Sequence, residues 1–154
     1  MIDGQGSGWW HMDGLTHGRP RLIEPMYCKN FSMVGVTVQN PPFWAMHPYV
    51  CDNVLFENIT FSAPPNSPNT DGIDPDSCSN VVIRNFNVIH CGDDAVAIKS
   101  GKDAAGRAFN KPSYNILIEG NTTVSAFLFE GDLNNLKNMF TMIPSLYRWY
   151  HRSF

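Results

Sequence analysis

Cys28-Lys29-Asn30-Phe31, Cys51-Asp52-Asn53-Val54, Cys78-Ser79-Asn80-Val81 and Ser113-Tyr114-Asn115-Ile116 are four copies of one pattern: a small residue, a polar one, asparagine, then alternating apolar positions. The apolar runs align as Phe31-Met33-Val36-Val38, Val54-Phe56-Ile59-Phe61, Val81-Ile83-Phe86-Val88 and Ile116-Ile118-Asn121-Thr123. Asn30 to Asn53 is a step of 23 residues, and the later steps are longer, as loop insertions would make them. A unit this short cannot bury its apolar face alone and must stack on its neighbours. Alternation with a period of two makes each unit a strand, with β-branched and aromatic side chains inward. One strand per turn at this period predicts an all-β chain folded as a right-handed, single-stranded parallel β-helix, a partial solenoid. The aligned asparagines are expected to form an internal ladder, each amide bonding the coils above and below, which would bury Asn30.

Composition fits such a coil. Glycine and proline total 23 of 154 residues, which suits several turns per coil. A formal charge of −3 gives no electrostatic reason to expect nucleic acid. No stretch approaches the ~20 apolar residues of a membrane span, and the polar, glycine-rich opening Met1-Ile2-Asp3-Gly4-Gln5-Gly6 carries no visible signal peptide. A monomer is expected. Cys28, Cys51 and Cys78 share one position in the repeat and are expected to stack as free, buried turn residues. A disulfide between neighbouring coils is sterically possible at ~4.8 Å spacing, whereas zinc-ligand spacing is absent. Trp9 and Trp10 are expected packing anchors for an irregular opening. The repeat region ends near Ser125, so residues 1–125 read as solenoid and 126–154 as a divergent tail, either a capping helix or sequence foreign to the fold.

The chemistry concentrates in Asn69-Thr70-Asp71-Gly72-Ile73-Asp74 and Gly92-Asp93-Asp94-Ala95-Val96. Asp71 to Asp94 is again 23 residues, which places them on successive coils, one strand spacing apart. Asp93 then aligns with Thr70, and three carboxylates share a patch of rigid wall. Stacked carboxylates repel, so at least one should hold its proton more tightly than usual. Such a cluster can supply both an acid and a base. Two other readings stand beside catalysis: Asp71, Asp74 and Asp76 could hold calcium, or each Asp could simply cap a turn. Pro75 and the absence of EF-hand spacing weigh against calcium, so no metal and no cofactor is expected.

Further runs complete a resemblance. Ile2-Asp3-Gly4-Gln5-Gly6 with Trp9-Trp10, Trp44-Ala45-Met46-His47-Pro48, Ser67 to Cys78, Cys91-Gly92-Asp93-Asp94 and Ala97-Ile98-Lys99-Ser100-Gly101 together resemble the polygalacturonases, glycoside hydrolase family 28. The resemblance implies a right-handed parallel β-helix and hydrolysis, with inversion, of α-1,4-galacturonosyl bonds in pectin. It makes Asp93 the general acid and gives water activation to Asp71 and Asp94, with Asn69 and Lys99 as substrate contacts. The partner would be a pectic polysaccharide, and the full-length form would be secreted or in the cell wall. Inverting glycosidases hold acid and base ~6.5–9.5 Å apart, a separation the offset of Asp93 could provide.

The departures are as specific as the match. The family's Gly-His-Gly and Arg-x-Lys motifs do not occur after Asp94, and counting by the repeat puts the next site position near Phe129, where no His lies. Arg148-Trp149-Tyr150-His151-Arg152 is a poor substitute for the triplet. The chain therefore reads as the middle of a longer enzyme, weakly active or inactive by itself, since one lost stabilising donor costs ~10²–10³-fold in rate. The rival functions are rhamnogalacturonan hydrolysis on the same scaffold, a calcium-dependent pectate lyase-like β-helix, and a non-catalytic carbohydrate-binding or structural fragment. Asn30-Phe31-Ser32, Asn58-Ile59-Thr60 and Asn121-Thr122-Thr123 are glycosylation sequons. His47 is expected to be structural and His90 to face a turn.

Overall fold

A computed structural model describes residues 1–12, 18–101, 104–120, 122–123, 127–130, 141–142 and 149–151. The chain coils as a parallel β-helix. Strands β1 (Ile2–Asp3), β2 (Lys29–Val34), β3 (Thr37–Gln39), β4 (Asp52–Ser62), β5 (Ser79–His90), β7 (Tyr114–Glu119), β8 (Thr122–Thr123) and β10 (Thr141–Met142) form one wall. A second wall contains β6 (Val96–Lys99), β9 (Phe127–Glu130) and β11 (Trp149–His151). Every pairing between these strands is parallel. Among the described residues, a short α-helix, α1 (Ala104–Phe109), interrupts the strands in the loop before β7.

The repeat register is the one the aligned runs predict. Phe31, Val54, Val81 and Ile116 pair in a column, as do Met33, Phe56, Ile83 and Ile118. Val38, Phe61, Val88 and Thr123 make a third. Phe56, Phe61, Phe86, Ile59 and Ile83 are fully buried in the resulting core. Full burial of side chains this size contributes roughly 1.5–3 kcal/mol each, which offsets the cost of ordering a loop-rich chain. Within each run the apolar residues fall two, three and two apart, so an even strand period is broken once. Gly35, Asn58, Asn85 and Gly120 sit at that break with φ of 67°, 53°, 52° and 64°. A left-handed residue there reverses the pleat and returns the following side chains to the core. Glycine and asparagine adopt that conformation most readily.

The asparagine ladder forms on the outside rather than the inside. Asn30, Asn53, Asn80 and Asn115 are exposed and left-handed, with φ of 55–58°. Asn53 Nδ2 donates to Asn30 Oδ1 at 2.7 Å, and Asn115 Nδ2 donates to Asn80 Oδ1. The middle rung is diverted, since Asn80 donates instead to Asp52 Oδ1 at 2.8 Å. The expectation that Asn30 is buried is therefore corrected, and the sequon at Asn30 lies on an accessible turn. Asn121 of the third sequon lies outside the described residues.

The cysteines stack as free thiols. Cys28 N–H points at Cys51 Sγ (3.4 Å), Cys51 N–H at Cys78 Sγ (3.3 Å), and Cys78 N–H at Ser113 Oγ (3.0 Å). Burial pushes the Cys78 thiol up to about 12. Trp10 Nε1 donates to the Pro41 carbonyl at 2.9 Å, so it anchors the opening, while Trp9 is exposed. His90 ends β5 and is exposed. A capping helix over the tail falls largely on residues outside those described; β9, β10 and β11 stack in parallel on β6, β7 and β9.

Candidate active site

Wall residues from successive coils superimpose as Arg21 to Cys28, Trp44 to Cys51, Asp71 to Cys78 and Asp94 onward. The pairings Ile23↔Met46↔Ile73↔Val96 and Met26↔Tyr49↔Asp76↔Lys99 fix that register. Asp71 and Asp94 thus occupy one column, with Gly72 N–H donating to the Asp94 carbonyl at 2.9 Å. Two glycines make the turn possible by what they lack. A Cβ on Gly92 would stand 1.8 Å from the Ser67 carbonyl oxygen, and one on Gly72 would stand 2.4 Å from that of Ala95. Thr70 closes the same corner: its hydroxyl donates to the Ser67 carbonyl (3.0 Å) and accepts the Gly92 N–H (3.1 Å).

One carboxylate oxygen each from Asp71, Asp93 and Asp94 lies within 4.8 Å of the others. Asp71 is buried, Asp94 half-buried and Asp93 exposed. This spacing is closer than the ~6.5–9.5 Å expected between acid and base. The offset between neighbouring residues does not open that gap, because Asp93 adjoins Asp94 and Asp71 stands on the coil directly before them. Burial first, then the Asp74 charge, raises the Asp71 carboxyl well above its ordinary range, with Asp93 and Asp94 adding to the rise and Lys99 opposing it. Asp71 Oδ1 is buried without a hydrogen bond.

Lys99 lies inside this cluster rather than reaching out from it. Its Nζ is 3.9 Å from both Asp71 Oδ2 and Asp74 Oδ2, and 4.4 Å from the centre of the Trp44 ring. The side chain is almost inaccessible, so Lys99 is placed as an internal counterion. Asp74 is fully buried and Asp76 half-buried. The acids gathered closely enough to share an ion are Asp71, Asp93 and Asp94, not the Asp71, Asp74 and Asp76 set considered for calcium. His47 is buried, with Nδ1 3.0 Å from Glu24 Oε1 and its ring against Trp44 and Tyr49. Asn69 Nδ2 donates to Asp93 Oδ2 at 3.3 Å.

Arg19 was not legible as a site neighbour. Its guanidinium is buried, donates to the Pro42 and Pro68 carbonyls and to Asn69 Oδ1, and lies over the Phe43 ring. Only a fold-level alignment of the first irregular coil could have brought it here. The expected position near Phe129 is also corrected: Phe127 pairs with Val96 and Phe129 with Ile98. The residue continuing the Asp71–Asp94 column therefore precedes Phe127.

The sequence matches the model of glycosyl hydrolases family 28 over residues 1–125. The chain belongs to that family. Similar proteins of the family include a "Probable polygalacturonase" of Vitis vinifera, 43% identical over 129 residues, which cover 82% of this chain and 26% of that one. An "Exopolygalacturonase" of Zea mays is 36% identical over 105 residues, covering 65% and 25% respectively. Among solved structures, a hyperthermoactive exopolygalacturonase from Thermotoga maritima superimposes with a TM-score of 0.68 at 38% identity, over 72% of this chain and 26% of that one. The chain spans about a quarter of the length of these family 28 relatives. Among the described residues, no helix is long and apolar enough to cross a membrane.

Proposed function

We propose that the protein of which these coils form part hydrolyses α-1,4-galacturonosyl bonds in pectin, with the Asp71–Asp93–Asp94 cluster as its reacting groups. The observation carrying this reading is the meeting of the three carboxylates within 4.8 Å on a rigid wall of a family 28 chain. Asp93, the exposed member, protonates the glycosidic oxygen as the bond to the anomeric carbon breaks. A water attacks that carbon and passes its proton to Asp71 or Asp94. Two hydrogen bonds of ~2.8 Å can bridge oxygens up to ~5.5 Å apart, so one water fits between these carboxylates. The raised proton affinity of Asp71 suits a base, because an ionised carboxylate that holds protons well is a better acceptor. Lys99 opposes that rise. Inversion rests on the family resemblance rather than on the acid–base separation. A pectic substrate implies a secreted or cell-wall setting.

The test is product analysis on polygalacturonate. Reducing ends should appear without ultraviolet-absorbing unsaturated products, chelator should leave the rate unchanged, and nuclear magnetic resonance should detect the inverted anomer first. Turnover that survives Asp93→Asn sinks the assignment. The second reading is a non-catalytic, carbohydrate-binding role for these coils. It predicts oligogalacturonide binding unchanged by Asp93→Asn, with no turnover in either form.

A further inference from the structure

Arg19 is a buried cation whose hydrogen bonds converge on the turn that carries the site. Its Nη1 donates to the Pro68 carbonyl at 2.7 Å and the Pro42 carbonyl at 3.1 Å, and its Nη2 donates to Asn69 Oδ1 at 2.8 Å. The guanidinium carbon stands 4.8 Å from the centre of the Phe43 ring. Three segments distant in sequence are thereby joined at one planar group: residues 19, 42–43 and 68–69. Asn69 itself is left-handed, with φ of 53°.

A guanidinium only donates. The atom of Asn69 that faces it must therefore be the carbonyl oxygen, which leaves the amide nitrogen facing Asp93. Asn69 Nδ2 lies 3.3 Å from Asp93 Oδ2. An amide that could flip would present either a donor or an acceptor to the acid; Arg19 removes that choice. We infer that Arg19 is a positioning residue for Asp93, acting through Asn69: it holds the amide as a donor to Oδ2, so that Oδ1 is the oxygen left to carry the transferable proton. The catalytic part of this inference rests on the reading of Asp93 as proton donor, whereas the orientation of Asn69 does not.

The experiment follows the Asn69 side-chain NH₂ resonances against pH. In the wild-type chain these should move with protonation of Asp93 and stop moving in Asp93→Asn. The other carboxylates of the cluster, Asp71 and Asp94, are separately reported by their own carboxyl carbons. In Arg19→Lys, which keeps the charge over Phe43 but loses the paired nitrogens, the Asn69 response should collapse. The Asn53 amide, bonded within its own ladder, should be unchanged. Where turnover is measurable, Arg19→Lys should lower kcat about tenfold with KM unchanged, the loss of one ordering hydrogen bond. An Asn69 signal in wild type that is blind to Asp93, or that is unaltered in folded Arg19→Lys, overturns the inference. If Arg19→Lys does not fold, the wild-type titration still decides. A chain with no turnover but with the coupled titration keeps the positioning and refutes only the hydrolase reading.

Discussion

Asp71→Asn should stabilise the fold and disable the site, and both effects have one origin. Asp71 is buried, its Oδ1 has no hydrogen-bond partner, and its Oδ2 shares Lys99 with the fully buried Asp74. Two buried carboxylates thus face one ammonium, an excess of negative charge that folding must bear. The carboxyl responds by holding its proton well above the ordinary value of 3.8. A carboxyl with a raised folded-state pKa binds more protons folded than unfolded between those two values. Stability from this group is therefore greatest below 3.8 and falls as pH rises through the folded value. Asparagine keeps the shape, removes the charge and leaves Lys99 facing Asp74. Removing one of two buried like charges that share Lys99 contributes about 1–3 kcal/mol at pH 7, and the unfolding midpoint should rise by several degrees. Urea unfolding of both proteins at pH 7, 5 and 3.5 measures it: the gap should be widest at pH 7 and close as Asp71 protonates in the wild type. Turnover, if the wild type has it, should drop by ~10²–10⁴-fold. A variant that is less stable at pH 7, or a gap independent of pH, would refute the charge-excess argument.

Lys99→Met should act in the opposite direction, costing about 3–5 kcal/mol at pH 7 by leaving Asp71 and Asp74 without their shared cation; denaturant titration should show partial recovery in Lys99→Met/Asp74→Asn. Gly92→Ala pushes a methyl into the Ser67 carbonyl, a backbone atom that cannot swing aside. It should destabilise by about 1–3 kcal/mol and displace the adjoining Asp93, seen as lost coupling between Asp93 and Asn69 by nuclear magnetic resonance. Iodoacetamide at pH 8 should leave buried Cys51 and Cys78 unmodified in the native state while alkylating half-buried Cys28 and Cys91, with mass spectrometry as the readout. Asn53→Ala should cost about 1–2 kcal/mol, from a left-handed residue losing its natural occupant and Asn30 losing its donor, measured by thermal unfolding.

The β-helix and its register were legible because the signal was redundant: four aligned runs point to the same pairing, and a one-residue slip would turn Phe56 and Phe61 outward. The Asp71–Asp94 stacking followed from the same step length. What alignment could not convey was which way a residue faces at a turn. Asparagine recurs at this repeat position because it tolerates positive φ, and here the left-handed backbone turns its side chain outward. The ladder is therefore external. The environment of Lys99 was hidden for a related reason: nothing in the sequence shows that its ammonium lies beside Asp71 and Asp74 of the preceding coil. Arg19 had no sequence signature because it stands outside the repeat and two of its three contacts, to the Pro42 and Pro68 carbonyls, are to backbone.

The same stacking that makes the solenoid stable makes its active corner costly. In most columns identical or similar groups sit well above one another: phenylalanine on isoleucine, asparagine on asparagine, thiol beneath amide. Glu57, Arg84 and Glu119 alternate in sign along the outer face, with Arg84 3.6 Å and 3.4 Å from its two neighbours, and that column attracts itself. The Asp71–Asp94 column does the reverse, stacking like charge on like charge beside Asp93, and Trp44 and Arg21 beneath it supply no donor to Asp71 Oδ1. A column so unfavourable persists because buried columns such as Met33–Phe56–Ile83–Ile118 fix the coil spacing independently. The repulsion that this spacing forbids from relaxing is what the raised proton affinity of Asp71 relieves.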